Sequence, residues 1–298
     1  MSPTNYLSPV PFHGLPGHSF LYLAPLRAPS PLSLSLPIPP PRNRDKYASY
    51  VWNAAIVLAD AIAAEEVKVK GKRVLELGCG LGLPGIVAAR LGAEKVILSD
   101  YNDGKMLLNT THAVEEALSL KERKKVQVVG HTWGESIEPI LRASPSYDLI
   151  LVADCVWDAS LHLPLIITLS RLLAASPSAT VLFSAGFHTG RLVVAAFLER
   201  AEEEGLVMLE SEEWREVSVE GEERLWSWQE CWGEEAKEDR QEERNRWTLL
   251  AHPAKRLSNP HTFFSLSVPG QNVNLESLNS HPVAVAASSK AWFIKRSS

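Results

Sequence analysis

The sequence predicts an α/β fold in layers, with helices on both faces of a largely parallel central sheet, and three observations carry that expectation. Five short β-rich runs, at residues 73–77, 95–99, 126–129, 147–152 and 180–184, alternate with helical patterns at 84–91, 105–118, 161–173 and 192–203. Strands alternating with helices of this length specify right-handed crossovers onto one sheet. The first of these runs ends in a glycine cluster that leads straight into a helix. Finally, 298 residues, 45% of them hydrophobic and 22% charged, supply enough apolar material for one sizeable core with tails.

Taken in order, the chain opens on a segment of unusual texture. Eleven of its twenty prolines fall between Pro3 and Pro41. Each removes a backbone donor and biases the preceding residue away from helix, so residues 1–41 are predicted to be a disordered, Pro-rich leader. Its patch Phe20-Leu21-Tyr22-Leu23 is what it offers for docking on the body or on a partner. The compact domain is expected over residues 42–252. It starts with Tyr50, Trp52, Ala55, Ile56, Leu58, Ala59 and Ile62 at helical spacing. After residue 206 the pattern changes: residues 213–219 alternate, a turn at Gly221 follows, and residues 245–250 are apolar again. An antiparallel pair at one sheet edge is the expectation. Residues 233–246, dense in Glu, Lys and Arg, read as a solvated loop or exposed helix. Beyond residue 252 no period survives, so residues 253–298 are expected to be a poorly structured tail.

Composition narrows the function classes. A formal net charge of -5 gives no basic field for displacing counterions from phosphates, so nucleic acid is not an expected partner. Cys79, Cys155 and Cys231 form no C-x-x-C pair, and the histidines show no ligand spacing; neither a disulfide framework nor a metal site is expected. Scattered cysteines fit a reducing compartment, hence cytoplasm, with the nucleus also open. No apolar stretch reaches the roughly 18–20 residues of a membrane-spanning helix, so no membrane partner is expected. A monomer is the default expectation. Ser-His-Asp, H-E-x-x-H and P-loop patterns do not occur.

The chemistry sits in Val74-Leu75-Glu76-Leu77-Gly78-Cys79-Gly80-Leu81-Gly82-Leu83-Pro84-Gly85, a strand, a Gly-rich turn and a helix start. Glycines permit positive φ and close approach of a ligand to the backbone, and the helix start presents unsatisfied N–H groups. Pro84 suits a first helical turn. A second apolar strand ends in Asp100, where an ionised acid can accept from both hydroxyls of a nucleotide ribose. This constellation fits either a nicotinamide dinucleotide or S-adenosylmethionine. Glu76, just before the turn, would repel a pyrophosphate but accept from the ammonium of a methionine-type ligand, which favours S-adenosylmethionine.

Five pieces together resemble the class I seven-strand S-adenosylmethionine-dependent methyltransferases. They are Val51-Trp52-Asn53-Ala54-Ala55, the glycine turn, Ser99-Asp100-Tyr101, Thr132-Trp133-Gly134 and Ala153-Asp154-Cys155-Val156-Trp157. The stretch is similar in particular to the fungal nicotinamide N-methyltransferase-like and lysine-specific protein methyltransferase family. That resemblance implies a Rossmann-like three-layer sandwich, a seven-stranded sheet of order 3-2-1-4-5-7-6 with an antiparallel edge strand, and a cofactor pocket lined by Trp52, Gly78, Gly80, Gly82, Asp100, Trp133 and Ala153. Relatives often carry an Asp where Thr132 stands, which removes an acidic contact to the adenine amine.

Asp154 and His188, the latter in a loop after the fifth strand, are the candidate catalytic residues. The expected reaction is methyl transfer from S-adenosylmethionine to a nitrogen, by in-line displacement without a metal. A protein lysine or N-terminal amine on a basic surface is the expected acceptor, because Asp154 and the Glu-rich stretches 202–204 and 234–243 would attract one. A small nicotinamide-type acceptor, an NAD-dependent oxidoreductase and a non-catalytic scaffold on a cofactor fold are the alternatives.

Overall fold

The computed structural model describes residues 11–41, 47–176, 178–207, 214–218, 222–226 and 241–256. Its centre is a sheet of strands β5 (Arg73–Leu77), β6 (Lys95–Asp100), β7 (Val126–Gly130), β8 (Leu149–Ala153) and β9 (Thr180–Gly186), all parallel to their neighbours. Helices α2 (Leu83–Arg90), α3 (Gly104–Ala117), α6 (His162–Leu172) and α7 (Arg191–Glu203) connect or follow them, together with the short α4 (Leu120–Arg123) and α5 (Glu138–Ala143). The α/β expectation holds, and each expected run appears within about two residues at its ends.

Alternation along the central strands builds two cores. Leu75, Leu77, Ile150 and Val152 face Leu165, Leu169, Val194 and Leu198 of α6 and α7. Val74, Val96, Leu98, Leu149 and Leu151 face the other side, against α1 (Asn53–Ala63) and α2. A strand buried on both faces must be apolar at nearly every position, as β5, β6 and β8 are.

On the far side of the sheet residues 215–218 and 247–250 pair antiparallel as expected, but there are more strands than the seven expected. Strands β10 (Leu206–Val207), β11 (Arg215–Ser218), β12 (Glu223–Leu225) and β13 (Trp247–Arg256) join it, so nine described strands take part rather than seven. From one edge the order runs β12, β11, β13, β9, β8, β5, β6, β7, with β10 paired to β13. The antiparallel strand β13 therefore lies between β9 and β11, and the edge strand β12 runs antiparallel to β11. The turn expected at Gly221 and residues 233–240 lie outside the described residues, while α8 (Gln241–Arg246) directly precedes β13. Residues 257–298 also lie outside them.

The leader expectation fails for residues 11–41. Strands β2 (Ser19–Leu23) and β3 (Ser33–Pro37) form an antiparallel hairpin, and β1 (Phe12–His13) pairs with β4 (Val51–Trp52) ahead of α1. Tyr22, Leu34, Leu36 and Ile38 are buried in the core that also holds α1. The Tyr22 hydroxyl donates to Asp60 Oδ1 on α1 at 2.8 Å, and Arg27 pairs with Glu66 at 2.9 Å. The leucines between the prolines are thus a buried hairpin face, and proline is tolerated because it sits at strand ends and turns.

Candidate active site

The C-terminal ends of β5, β6, β8 and β9 converge, as they do wherever open α/β sheets bind ligands. At the end of β5 the turn takes positive φ at Gly78 (64°) and Gly80 (53°). A methyl group built on Gly78 would lie 2.5 Å from Cys155 Sγ and 3.1 Å from Trp133 Cζ2; one built on Gly80 would lie 3.1 Å from the Ala48 carbonyl oxygen. Glycine at these two places lets β8, Trp133 and the segment before β4 close on the turn. Gly82 stands in left-handed conformation as the cap of α2.

Asp100 fixes the turn from β6. Its Oδ2 accepts from the Gly80 N–H at 2.6 Å and its Oδ1 from the Tyr101 N–H at 2.7 Å. Thr110 of α3 donates to the Gly80 carbonyl at 2.6 Å. Burial pushes the Asp100 carboxyl above its usual range, while the Gly80 and Tyr101 donors pull it back. Each oxygen keeps a further lone pair, so the group can still receive two hydroxyl donors.

Glu76 does not join this open edge. It is fully buried, its Oε2 accepts from the Gly85 N–H at 2.7 Å, and burial with the neighbouring Asp100 raises its pKa to about 8. One carboxyl oxygen thus braces the first turn of α2 through the Gly85 N–H.

A second group forms at the ends of β8 and β9. Ala153 closes β8 half-buried, and Asp154 follows with φ of 58°, an uncommon backbone for a non-glycine residue. Its Oδ1 accepts from the Gly186 N–H at 3.1 Å, and His188 Nδ1 lies 3.8 Å away. Burial raises the Asp154 carboxyl, and His188 opposes that rise. The Trp52 ring lies 5.3 Å from the His188 ring, so the expected cofactor residue Trp52 is gathered with Asp154 and His188. Cys155, the next residue, donates to the Leu77 carbonyl at 3.2 Å and ties this group to the glycine turn.

The acidic stretch at 202–204 is not brought here. Helix α7 starts beside His188, and thirteen residues of rise, roughly 20 Å, carry its last turn to the opposite end of the sheet. Arg200 there pairs with Glu204 at 2.7 Å and lies 3.6 Å from Glu203. Residues 234–240 lie outside the described residues. Among the described residues no three His, Cys, Asp or Glu side chains converge as a metal would need, and no helix is long and apolar enough to cross a membrane. Sequence reasoning missed Thr110, Ala48 and Phe12, the last 5.5 Å from Trp52 by ring centroid. Only Thr110, polar on the apolar face of α3, leaves a signal there.

Comparison with known families matches residues 40–203, more than half of the chain, to a family described as lysine methyltransferase. The chain belongs to that family. Among relatives, it is 36% identical over 133 residues to "Protein N-terminal and lysine N-methyltransferase EFM7" of Cryptococcus neoformans, covering 44% of each protein. The Schizosaccharomyces pombe protein of the same name is 32% identical over 53% of this chain and 64% of its own. "Protein N-lysine methyltransferase METTL21A" of Danio rerio is 43% identical over 42% of this chain and 55% of its own. The match thus spans about half the length of these relatives. A SAM-dependent methyltransferase from Aquifex aeolicus aligns with a TM-score of 0.43 at 16% identity, over 66% of this chain and 89% of that one.

Proposed function

We propose that this family member transfers a methyl group from S-adenosylmethionine to a protein amine, a lysine side chain or an N-terminus. The observation that carries the reading is the meeting of the Gly78–Gly82 turn, Asp100 and Asp154 on one sheet edge. The residues fit the cofactor: a glycine cradle that no Cβ could share, and a carboxylate held by two N–H donors with lone pairs to spare for two ribose hydroxyls. Gly78, Gly80, Gly82, Asp100, Trp133 and Ala153 would hold it. When bound, it supplies an electrophilic methyl on a sulfonium leaving group.

The chain's own part is alignment and proton control. A lysine titrates near 10.4 in water, so it must lose its proton at the site. The buried Asp154 carboxylate attracts the ammonium out of water and fixes its nitrogen, and burial, which raises that carboxyl's affinity for a proton, suits it to take up the proton the amine gives up. The left-handed backbone of Asp154 is strain of the kind that functional sites keep. The relatives' names support a protein acceptor over nicotinamide, whose neutral amide gains nothing from Asp154. Buried, free Cys79 and Cys155 agree with a reducing compartment, the cytosol or nucleus, and we take the chain to act as a monomer.

The test is incubation with methyl-labelled cofactor and a cell extract, with calorimetry alongside. Labelled protein is expected. Asp100→Ala and Gly80→Arg should lose cofactor binding, whereas Asp154→Asn should bind cofactor within about two-fold and transfer methyl at least ~10-fold more slowly. Parental transfer by Asp154→Asn, or labelled nicotinamide with no labelled protein, would overturn the reading.

A further inference from the structure

The turn that carries His188 lies between two anchored residues, Phe187 and Arg191. It begins where β9 ends at Gly186, whose N–H donates to Asp154 Oδ1 at 3.1 Å, and it tightens as the Gly190 N–H donates to the Phe187 carbonyl at 2.7 Å. His188 Nδ1 lies 3.8 Å from the same Asp154 oxygen. Gly190, with φ of 106°, offers no side chain to cap α7, so the turn is only as fixed as its two anchors.

Both anchors are held by the added strands. Phe187 is fully buried and stacks on Trp226, with 5.7 Å between ring centroids and 19° between planes. The Arg191 guanidinium lies 4.1 Å from the centroid of the same Phe187 ring. Glu216 of β11, itself fully buried, grips that guanidinium with both oxygens: Oε1 accepts from Nη1, and Oε2 accepts from Nη2 at 2.7 Å and from Arg224 Nε of β12 at 2.8 Å. A fork-on-fork pair fixes the plane of the guanidinium as well as its place, which a point charge does not. As a source of stability alone a buried ion pair is a poor choice, because apolar side chains of similar volume pack as well without the desolvation cost; what it adds is orientation. Residue 216 lies past residue 203, where the family match ends.

We propose that Glu216 is a positioning residue for methyl transfer: acting through Arg191, it sets the turn 186–190 and with it the side of Asp154 and His188 that meets the acceptor. This rests on reading Asp154 as the acceptor end of the site. The path is short. Glu216 orients Arg191, Arg191 and Phe187 fix the two ends of the turn, and the turn brings the Gly186 N–H and His188 to one Asp154 oxygen. The glycine turn is held separately, by Asp100 and Thr110. Loosening the grip on Arg191 therefore misplaces the acceptor and spares the cofactor.

The experiment compares the full chain with two variants, Glu216→Gln and the apolar pair Arg191→Leu with Glu216→Leu, which buries no unpaired charge at this position. S-adenosylmethionine affinity by calorimetry is expected within about two-fold of the parent in both, while the maximal rate of methyl labelling of extract protein, at saturating cofactor, falls at least ~5-fold. The leucine pair should melt within about 3 °C of the parent, which separates position from stability. Amide exchange over residues 186–190 needs no methyl transfer and should quicken about 10-fold in each variant. Parental labelling by the leucine pair, unchanged exchange in that turn, a loss of cofactor affinity as large as the loss of rate, or failure of both variants to fold each overturns the positioning role. A parent that labels no protein sinks the proposed function instead, and exchange then decides by itself whether Glu216 sets the turn.

Discussion

Two carboxylates on neighbouring strands illustrate how burial, not residue type, assigns a role. Asp100 accepts two backbone donors from the glycine turn and its own neighbour at the end of β6, while Glu76, on the adjacent strand β5, is turned onto Gly85 at the start of α2. Sequence made Asp100 legible because a strand end followed by polar residues marks the ligand edge of an α/β sheet. It could not show which way Glu76 turns, since strand periodicity gives the face but not what the opposing helix offers. The consequence is measurable. Folded Glu76 holds its proton up to about pH 8, whereas the unfolded chain releases it near its ordinary value of 4.5. The folded state therefore binds more protons in that window, and stability falls as pH rises from about 4.5 to 8, then levels off. Glu76→Gln keeps an acceptor for the Gly85 N–H without the charge. Thermal melts should show this variant gaining on the parent as pH rises, by a few kcal/mol at pH 8 relative to pH 5. A constant difference across that range would show that Glu76 is ionised in the fold.

At the scale of elements, the parallel strands were readable because each is a short apolar run bounded by turn residues, and a strand buried on both faces has no other way to be written. The N-terminal hairpin was not readable for the opposite reason. Its alternation is confined to β3, where Leu34 and Leu36 point inward between serines, and prolines on both sides obscure it. What makes it structure is tertiary: α1 supplies Asp60 for Tyr22, and the core supplies the apolar face. Leu36 is fully buried, so Leu36→Ala should cost about 2–5 kcal/mol, well above the ±0.5 kcal/mol usual for a surface change. Denaturant unfolding of the purified variant decides it; a loss under 1 kcal/mol would return this segment to the status of a leader. The distal hairpin has a similar logic. Glu216 of β11 is fully buried and pairs with Arg191 at the start of α7, at 2.7 Å through Nη2, and with Arg224 of β12 at 2.8 Å. Arg191 in turn lies over the Phe187 ring at 4.1 Å, next to His188. An ion cluster whose members are this well satisfied specifies how the loop after β9 meets the added strands, which no spacing in the sequence announces.

For the whole molecule the question is where the folding unit ends. Sequence put the domain at residues 42–252, on the grounds that neither flank shows a period able to add to a core. The structure moves both boundaries outward. On one side, residues 11–41 place Tyr22, Leu34, Leu36 and Ile38 in the core, and β1 lays Phe12 against Trp52. On the other, β13 continues to Arg256: after an irregularity between Ala251 and Ala254, its register resumes with Ala254 opposite Val181 and Lys255 opposite Thr180, while Arg256 opposes Leu206 of β10. Cutting at residue 252 removes these pairs and leaves β10 without its partner strand. A chain of residues 42–252 should therefore melt at least ~5 °C below one of residues 11–256, because four large buried side chains and a strand end are lost, each buried side chain contributing about 1.5–3 kcal/mol. Residues 11–256 should melt with the full chain and bind S-adenosylmethionine with equal affinity by calorimetry. If the shorter piece melts as high and binds as tightly, the hairpin and the end of β13 are decoration on a domain that ends where its sequence period ends.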